Sequence, residues 1–203
     1  MKKLLFAVLI TTLGLAQLTG QSNATLIEAF SASYVAEAAG EYDQAIAALQ
    51  PHYAADSYPL NLRMGWLYYL QGDYPRSETL YTRAKNLLPY AIEPKLGLAY
   101  PLAALGQYDR VIGIYEDILA FDPQNTLVHY RLGAILYERQ DYEGAYFHLE
   151  KVVNLYPFDY DSVLLFAWIN LRMNKATKAR TLFENALLIV PGSASALEGL
   201  GML

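Results

Sequence analysis

GEYDQAI at 40–46, GDYPRSE at 72–78, GQYDRVI at 106–112 and QDYEGAY at 140–146 line up as one motif around a shared tyrosine. Their tyrosines, Tyr42, Tyr74, Tyr108 and Tyr142, fall 32, 34 and 34 residues apart, and Pro89, Pro123, Pro157 and Pro191 recur at intervals of 34. Self-similarity at this period marks a stacked-repeat architecture, in which no unit can bury its apolar face alone and neighbours together make one core. Gly40, Gly72 and Gly106 stand where a first helix must stop, because glycine accepts the left-handed conformation of a helix C-cap. In the fifth unit Asn174 keeps a residue that tolerates this conformation. Asp73 and Asp141 follow and suit the start of a second helix, where a carboxylate accepts hydrogen bonds from orphan amides. The prolines then end each second helix, having no donor with which to continue it.

This pattern resembles the tetratricopeptide repeat, a 34-residue helix–turn–helix, over residues 26–203. The units are 26–57, 58–91, 92–125, 126–159 and 160–193, with 194–203 beginning a sixth. Position 8, a small residue where two helices cross closely, holds Ser33, Gly65, Ala99, Gly133 and Ala167. Its counterpart at position 20 holds Ala45, Ser77, Val111, Ala145 and Ala179, and the large core position 24 holds Leu49, Tyr81, Tyr115, Leu149 and Phe183. The resemblance implies an all-α solenoid of helical hairpins, wound as a right-handed superhelix and forming a single domain over 21–203. The chain departs from the pattern in places. Unit one is two residues short and has Ser57 where the closing proline belongs. Lys175 and Ala176 replace the acidic–tyrosine pair, and Asn170 puts a polar group at a packing position. Pro101, inside the first helix of unit three, predicts a kink and a freed carbonyl near Gly97.

Of the 203 residues, 54% are hydrophobic and only 17% charged, which excludes a disordered chain. The balance of 15 basic against 20 acidic residues offers no stripe for a polyanion, so nucleic acid is not an expected partner. There is no cysteine, hence no disulfide, thiol chemistry or cysteine zinc site. The chain opens Met1-Lys2-Lys3, runs apolar through Leu4–Leu18 and meets its next charge at Glu28. A short basic start followed by an apolar run reads as a secretory signal peptide over 1–20. A membrane-spanning helix needs about 20 strongly apolar residues, and Thr11, Thr12, Gly14 and Gln17 interrupt this one. The expectation is a bacterial protein exported to the periplasm or cell envelope, meeting the membrane only until the leader is cleaved.

Signatures of catalysis are missing: there is no G-x-x-x-x-G-K, H-E-x-x-H or G-x-S-x-G. His52, His129 and His148 lie far apart in sequence and at different repeat positions, which reads as isolated, partly buried histidines rather than a metal site. Asp159 and Asp161 open a helix and read as capping residues before cation ligands. The expectation is a non-catalytic protein without metal or cofactor.

The resemblance places the first helices along a concave groove whose ligand positions are mainly 2, 5, 9, 12 and 13. Position 5 holds Phe30, Leu62, Leu96, Tyr130 and Leu164; position 9 holds Tyr34, Trp66, Tyr100, Ala134 and Trp168; position 12 includes Glu37, Tyr69 and Tyr137. Six of the ten residues at positions 5 and 9 are aromatic, including both tryptophans, in a chain that is 13% aromatic. Position 9 is expected to face solvent, where large rings are costly without a role, while Tyr69 and Tyr137 also suit packing. Contiguous exposed apolar area marks an interaction site, and tyrosine and tryptophan suit recognition. The candidate groove is therefore Phe30, Tyr34, Leu62, Trp66, Tyr69, Leu96, Tyr100, Tyr130, Tyr137, Leu164 and Trp168. Family members that clamp acidic tails carry lysine and asparagine at positions 5 and 9, and this chain has neither there.

These readings point to an interaction scaffold of the bacterial envelope that holds an apolar or aromatic-rich protein or peptide segment. Two alternatives use the same features. The rings could stack on glycan or peptidoglycan, with Glu93, Glu138 and Arg172 as the few polar partners. The apolar tail 194–203, which carries only Glu198 as a charge, could join copies into a homo-oligomer.

Overall fold

Every regular element of the computed structural model, which describes residues 23–203, is helical. The signal-peptide reading over 1–20 lies outside the described residues. Helix α1 occupies 23–38, and α2 (Tyr42–Leu49) runs into a single 3-10 turn at Gln50–His52. There follow α3 (Tyr58–Gln71), α4 (Tyr74–Leu87), α5 (Glu93–Ala104) and α6 (Tyr108–Phe121). The chain continues through α7 (Thr126–Glu138), α8 (Tyr142–Leu155), α9 (Tyr160–Arg172), α10 (Ala176–Ile189) and α11 (Ala194–Gly201). No described helix is long and apolar enough to cross a membrane.

Five first helices end in one way. The residue at position 15 is left-handed in each: Gly40 (φ 76°), Gly72 (88°), Gly106 (72°), Gln140 (63°) and Asn174 (57°). The next amide donates back to a carbonyl of the last turn at 2.9 Å every time, as in Glu41 N to Ala36 O, Asp73 N to Tyr68 O and Asp141 N to Leu136 O. This is the Schellman arrangement, which satisfies carbonyls that the helix itself leaves bare. Gln140 takes part without being a residue that favours it. Asp73 and Asp141 then cap α4 and α8, accepting from Arg76 N at 3.1 Å and Gly144 N at 2.9 Å. Helices α4, α6, α8 and α10 each stop two residues before the recurring proline.

The chain divides into two compact units, one ending at Gln107 and one beginning at Tyr108. In the first, α2 packs on α3, α3 on α4 and α4 on α5, around Ala45, Leu49, Leu60, Met64, Leu67 and Leu80. Ser77 Oγ donates to Gly65 O at 2.7 Å, so positions 8 and 20 do meet at the close crossing. Tyr81 is wedged between α3 and α5: a Cβ on Gly65 would press on its ring and one on Gly97 would overlap it. Helix α5 carries on through the buried Pro101 to Ala104.

In the second unit α7 packs on α8, α8 on α9, α9 on α10 and α10 on α11, which also touches α9. Gly133 gives Leu149 the space a Cβ would fill, and Gly199 of α11 does the same for the Phe183 ring. Asn170 is fully buried; its Nδ2 donates to Phe166 O at 2.7 Å, while Oδ1 has no hydrogen-bond partner.

Candidate binding cleft

In the first unit the position-5 and position-9 residues of three successive first helices come together. Phe30, Tyr34, Leu62, Trp66, Leu96 and Tyr100 line an open cleft of about 570 Å³, with Tyr58, Pro59, Arg63, Tyr81, Glu93 and Gly97 completing its walls. Trp66 stands edge-on to Tyr100 at 5.9 Å between centroids and 5.5 Å from Tyr69, which is itself 5.3 Å from Tyr100. Three rings thus brace one another in the tilted and edge-on geometries that aromatic pairs prefer. The Phe30 and Tyr34 rings are tilted to each other with centroids 6.5 Å apart, and Tyr34 is 57% exposed.

The cleft's polar atoms are largely engaged within the protein. Arg63, only 7% exposed, donates from Nε and Nη2 to Ser33 Oγ at 3.2 and 3.0 Å and pairs through Nη1 with Glu37. Its guanidinium also lies 3.9 Å from the Tyr34 ring centre. The other oxygen of Glu37 accepts from Trp66 Nε1 at 2.6 Å, so one carboxylate locks both the arginine and the indole. Multiple partners of this kind are what make a buried charge tolerable. At the rim Tyr58 donates to Glu93 Oε2 at 3.3 Å. Burial first, and then the Glu93 charge, raise the Tyr58 phenol above its ordinary pKa. Tyr81 is raised more strongly, by burial and then by Tyr100 and Glu93, and so stays protonated.

The second unit has a smaller cleft of about 370 Å³, lined by Thr126, Leu127, Tyr130, Val152, Tyr156, Asp159, Asp161 and Ser162. Asp159 caps α9, accepting from Ser162 N at 3.0 Å and Ser162 Oγ at 2.6 Å. Burial, followed by the charges of Asp161 and Asp159, raises the Tyr130 phenol. Of the four candidate residues in this unit, Tyr130 lines the cleft and the other three serve packing. Leu164, Tyr137 and Trp168 lie against the core around Phe166 and Phe183. Tyr137 also meets the Tyr142 ring at a tilt, 5.7 Å between centroids. Trp168 stands edge-on to Phe183 at 5.2 Å, and its Nε1 donates to Ser195 Oγ at 2.9 Å.

Two expectations are corrected here. Position 9 does not simply face solvent: Trp66, Tyr100 and Trp168 are half-buried, since neighbouring first helices supply rings and acceptors to cover them. The histidines are not all isolated either. His129 on α7 is 2% exposed, and its Nδ1 lies 2.7 Å from Nδ1 of the half-buried His148 on α8. His129 Nε2–H donates to Pro123 O at 3.0 Å, which leaves its Nδ1 free to accept from His148. Burial, His129 and Lys151 together push His148 down to about 4, against a weaker opposing pull from Asp141. No group of three or more metal-ligating side chains occurs among the described residues.

Stacked antiparallel hairpins whose first helices gather aromatic rings around an open cleft define a helical-repeat protein. The chain belongs to the tetratricopeptide-repeat family, whose pattern matches it over residues 30–92 and again over 102–164. Among solved structures it is similar to a tetratricopeptide repeat protein from Parabacteroides merdae, at 19% identity and a TM-score of 0.74, covering 87% of this chain and 71% of that one. It is also similar to MamA from Desulfovibrio magneticus, at 18% identity and a TM-score of 0.72, over 84% of this chain and 97% of that one. A MamA designated AMB-1 gives 21% identity and a TM-score of 0.70, over 89% and 97%. At these identities the likeness is one of fold. No curated protein sequence matches the chain closely enough to count as a relative.

Proposed function

We propose that the protein is a non-catalytic interaction scaffold of the bacterial envelope, and that the cleft of the first unit holds an apolar, aromatic-rich segment of a partner protein. One observation carries this reading: Phe30, Tyr34, Leu62, Trp66, Leu96 and Tyr100, from three different helices, line a single open cleft of about 570 Å³. Membership of a repeat family that works through protein contacts supports it. A peptide fits better than a sugar. The indole N–H of Trp66 and the donors of Arg63 are already used on Glu37 and Ser33, so few polar groups remain for hydroxyls. Export rests on the Lys2-Lys3 leader alone.

The test is site-specific photo-crosslinking in the native host. A benzoyl-phenylalanine placed at Leu62 or Leu96 is expected to trap one defined polypeptide. The same probe at Thr79 or Arg83, on the exposed side of α4, is expected to trap none. Identical adducts from both faces, or none from the cleft, would remove the proposal. Glycan adducts in place of polypeptide would redirect it to the sugar reading.

A further inference from the structure

The two clefts share a construction that the family pattern does not dictate. Glu93 and Asp161 both occupy position 2, in the third and fifth units, and each stands on a cleft wall near a tyrosine of the unit before it. In the first unit that ring is Tyr58, hydrogen-bonded to Glu93; in the second it is Tyr130, whose phenol is raised by Asp161 after burial. Position 2 in the other units is Ile27, Pro59 and Leu127, so these carboxylates are additions rather than a feature of every unit. The charge left in each cleft is negative. Arg63 is turned onto Glu37 and Ser33, and the second cleft is lined by Asp159 and Asp161 with no lysine or arginine. Asp159 is occupied by its cap, which leaves Asp161 for a ligand.

We infer that each cleft takes a basic side chain: a partner segment that sets lysine or arginine among its apolar residues. The aliphatic stem of such a side chain lies on apolar surface while its head reaches water or an anion. Here the stem would lie on Leu62, Leu96 and Trp66 in one cleft, and on Leu127 and Val152 in the other. The cationic head meets a carboxylate with a tyrosine on the same cleft wall, Tyr58 beside Glu93 and Tyr130 in the cleft of Asp161, and tyrosine rings attract cations. The inference rests on the clefts being peptide sites and adds the chemistry that they select.

Three fluorescein-labelled 18-residue amphipathic peptides test it, alike in their leucines but carrying lysine, glutamine or glutamate on the polar face. Anisotropy at about 0.15 M salt screens distant charges. The lysine peptide is expected to bind about tenfold more tightly than the glutamine peptide, from combined ionic and cation–π contacts. Glu93→Gln and Asp161→Asn should each remove a few-fold of that preference, and the double variant nearly all of it. Glu116→Gln with Asp117→Asn, which deletes two exposed charges of α6, should leave the preference intact; an equal loss there would reduce the effect to net charge and overturn the inference. If lysine and glutamine peptides bind alike and Trp66→Ala weakens both, the basic-residue reading falls and the apolar cleft stands. If none of the three binds, both fall.

Discussion

Trp66 and Trp168 occupy the same register position in two units and meet opposite fates. Trp66 donates backward to Glu37 on α1 and keeps one side of its ring on an open cleft. Trp168 donates forward to Ser195 and is pressed against Phe183, beneath a helix of small residues that includes Ala196 and Gly199. A ring at position 9 stays open to a cleft where no small-residue helix closes over it. Helix α11 closes over Trp168, whereas Tyr100 stands beside Trp66 without covering it. The contrast predicts unequal costs. Trp168→Ala empties space between the Phe183 ring and α11 and should cost about 3 kcal/mol, near the low end for deleting a packed aromatic. Trp66→Ala removes a half-buried ring with one side on an open cleft, and about 1 kcal/mol is expected, together with loss of peptide binding. Urea denaturation of the two variants measures this, and equal losses would dissolve the distinction.

Both units set a position-6 glycine against a position-24 ring, Gly97 on Tyr81 and Gly199 on Phe183. Gly133 differs, because a Cβ there meets the tip of a flexible leucine. Gly97→Ala should therefore cost about 2 kcal/mol, since Tyr81 is held by Gly65 on its other side and cannot retreat. Gly133→Ala should come out within about 1 kcal/mol of neutral, because Leu149 can change rotamer and alanine favours helix. Thermal denaturation decides between them. A Gly97→Ala protein as stable as Gly133→Ala would mean that the Tyr81 wedge is not tight.

Acid should also separate the units, because the buried histidine pair belongs to the second. His148 is held at about 4 in the folded chain against 6.5 when free, so the folded state prefers it neutral. Its stabilising contribution is complete above pH 6.5 and is lost as the pH falls from 6.5 toward 4. His148 is about half-exposed, and solvent screening reduces the effect to on the order of 1–2 kcal/mol. The urea midpoint of the native chain should fall between pH 7.5 and 4.5 by more than that of His148→Gln. Parallel falls in the two proteins would show that the pair does not sense acid.

The repeat itself is written in the sequence because its signals are local: glycine or asparagine at position 15, aspartate as a cap, proline after the second helix. Position 5 and 9 residues of the first unit were legible for the same reason, since a fixed register sends them to one face. Tyr58, Arg63 and Tyr81 are not legible as cleft residues because they sit at positions 1, 6 and 24, outside the usual ligand set, yet line the cleft. The packing of Trp168 is hard to read from sequence because its cover comes from a partial sixth unit, whose small residues Ser195, Ala196 and Gly199 carry little pattern. The histidine pair is legible in the register. Positions 8 and 20 face each other across a hairpin, so pairs summing to about 28 are neighbours. His129 and His148, at positions 4 and 23, satisfy that rule.

The smallest effect tests whether the five helix ends are interchangeable. Gln140 adopts φ 63° and its neighbour Asp141 makes the same 2.9 Å bond to Leu136 O that the glycine and asparagine versions make. A left-handed side-chain residue costs roughly 1–2 kcal/mol, and glycine removes that strain while adding up to about 1 kcal/mol of unfolded-state entropy. Gln140→Gly should thus stabilise the chain by about 0.5 kcal/mol, raising Tm by one or two degrees. Gly72→Gln in the first unit should lower it by a similar amount, since a Cβ there meets nothing and only the backbone objects. A fall in Tm for Gln140→Gly would mean that the Gln140 side chain holds the α7–α8 turn by a contact of its own. The second unit would then end its helices by a different rule from the first.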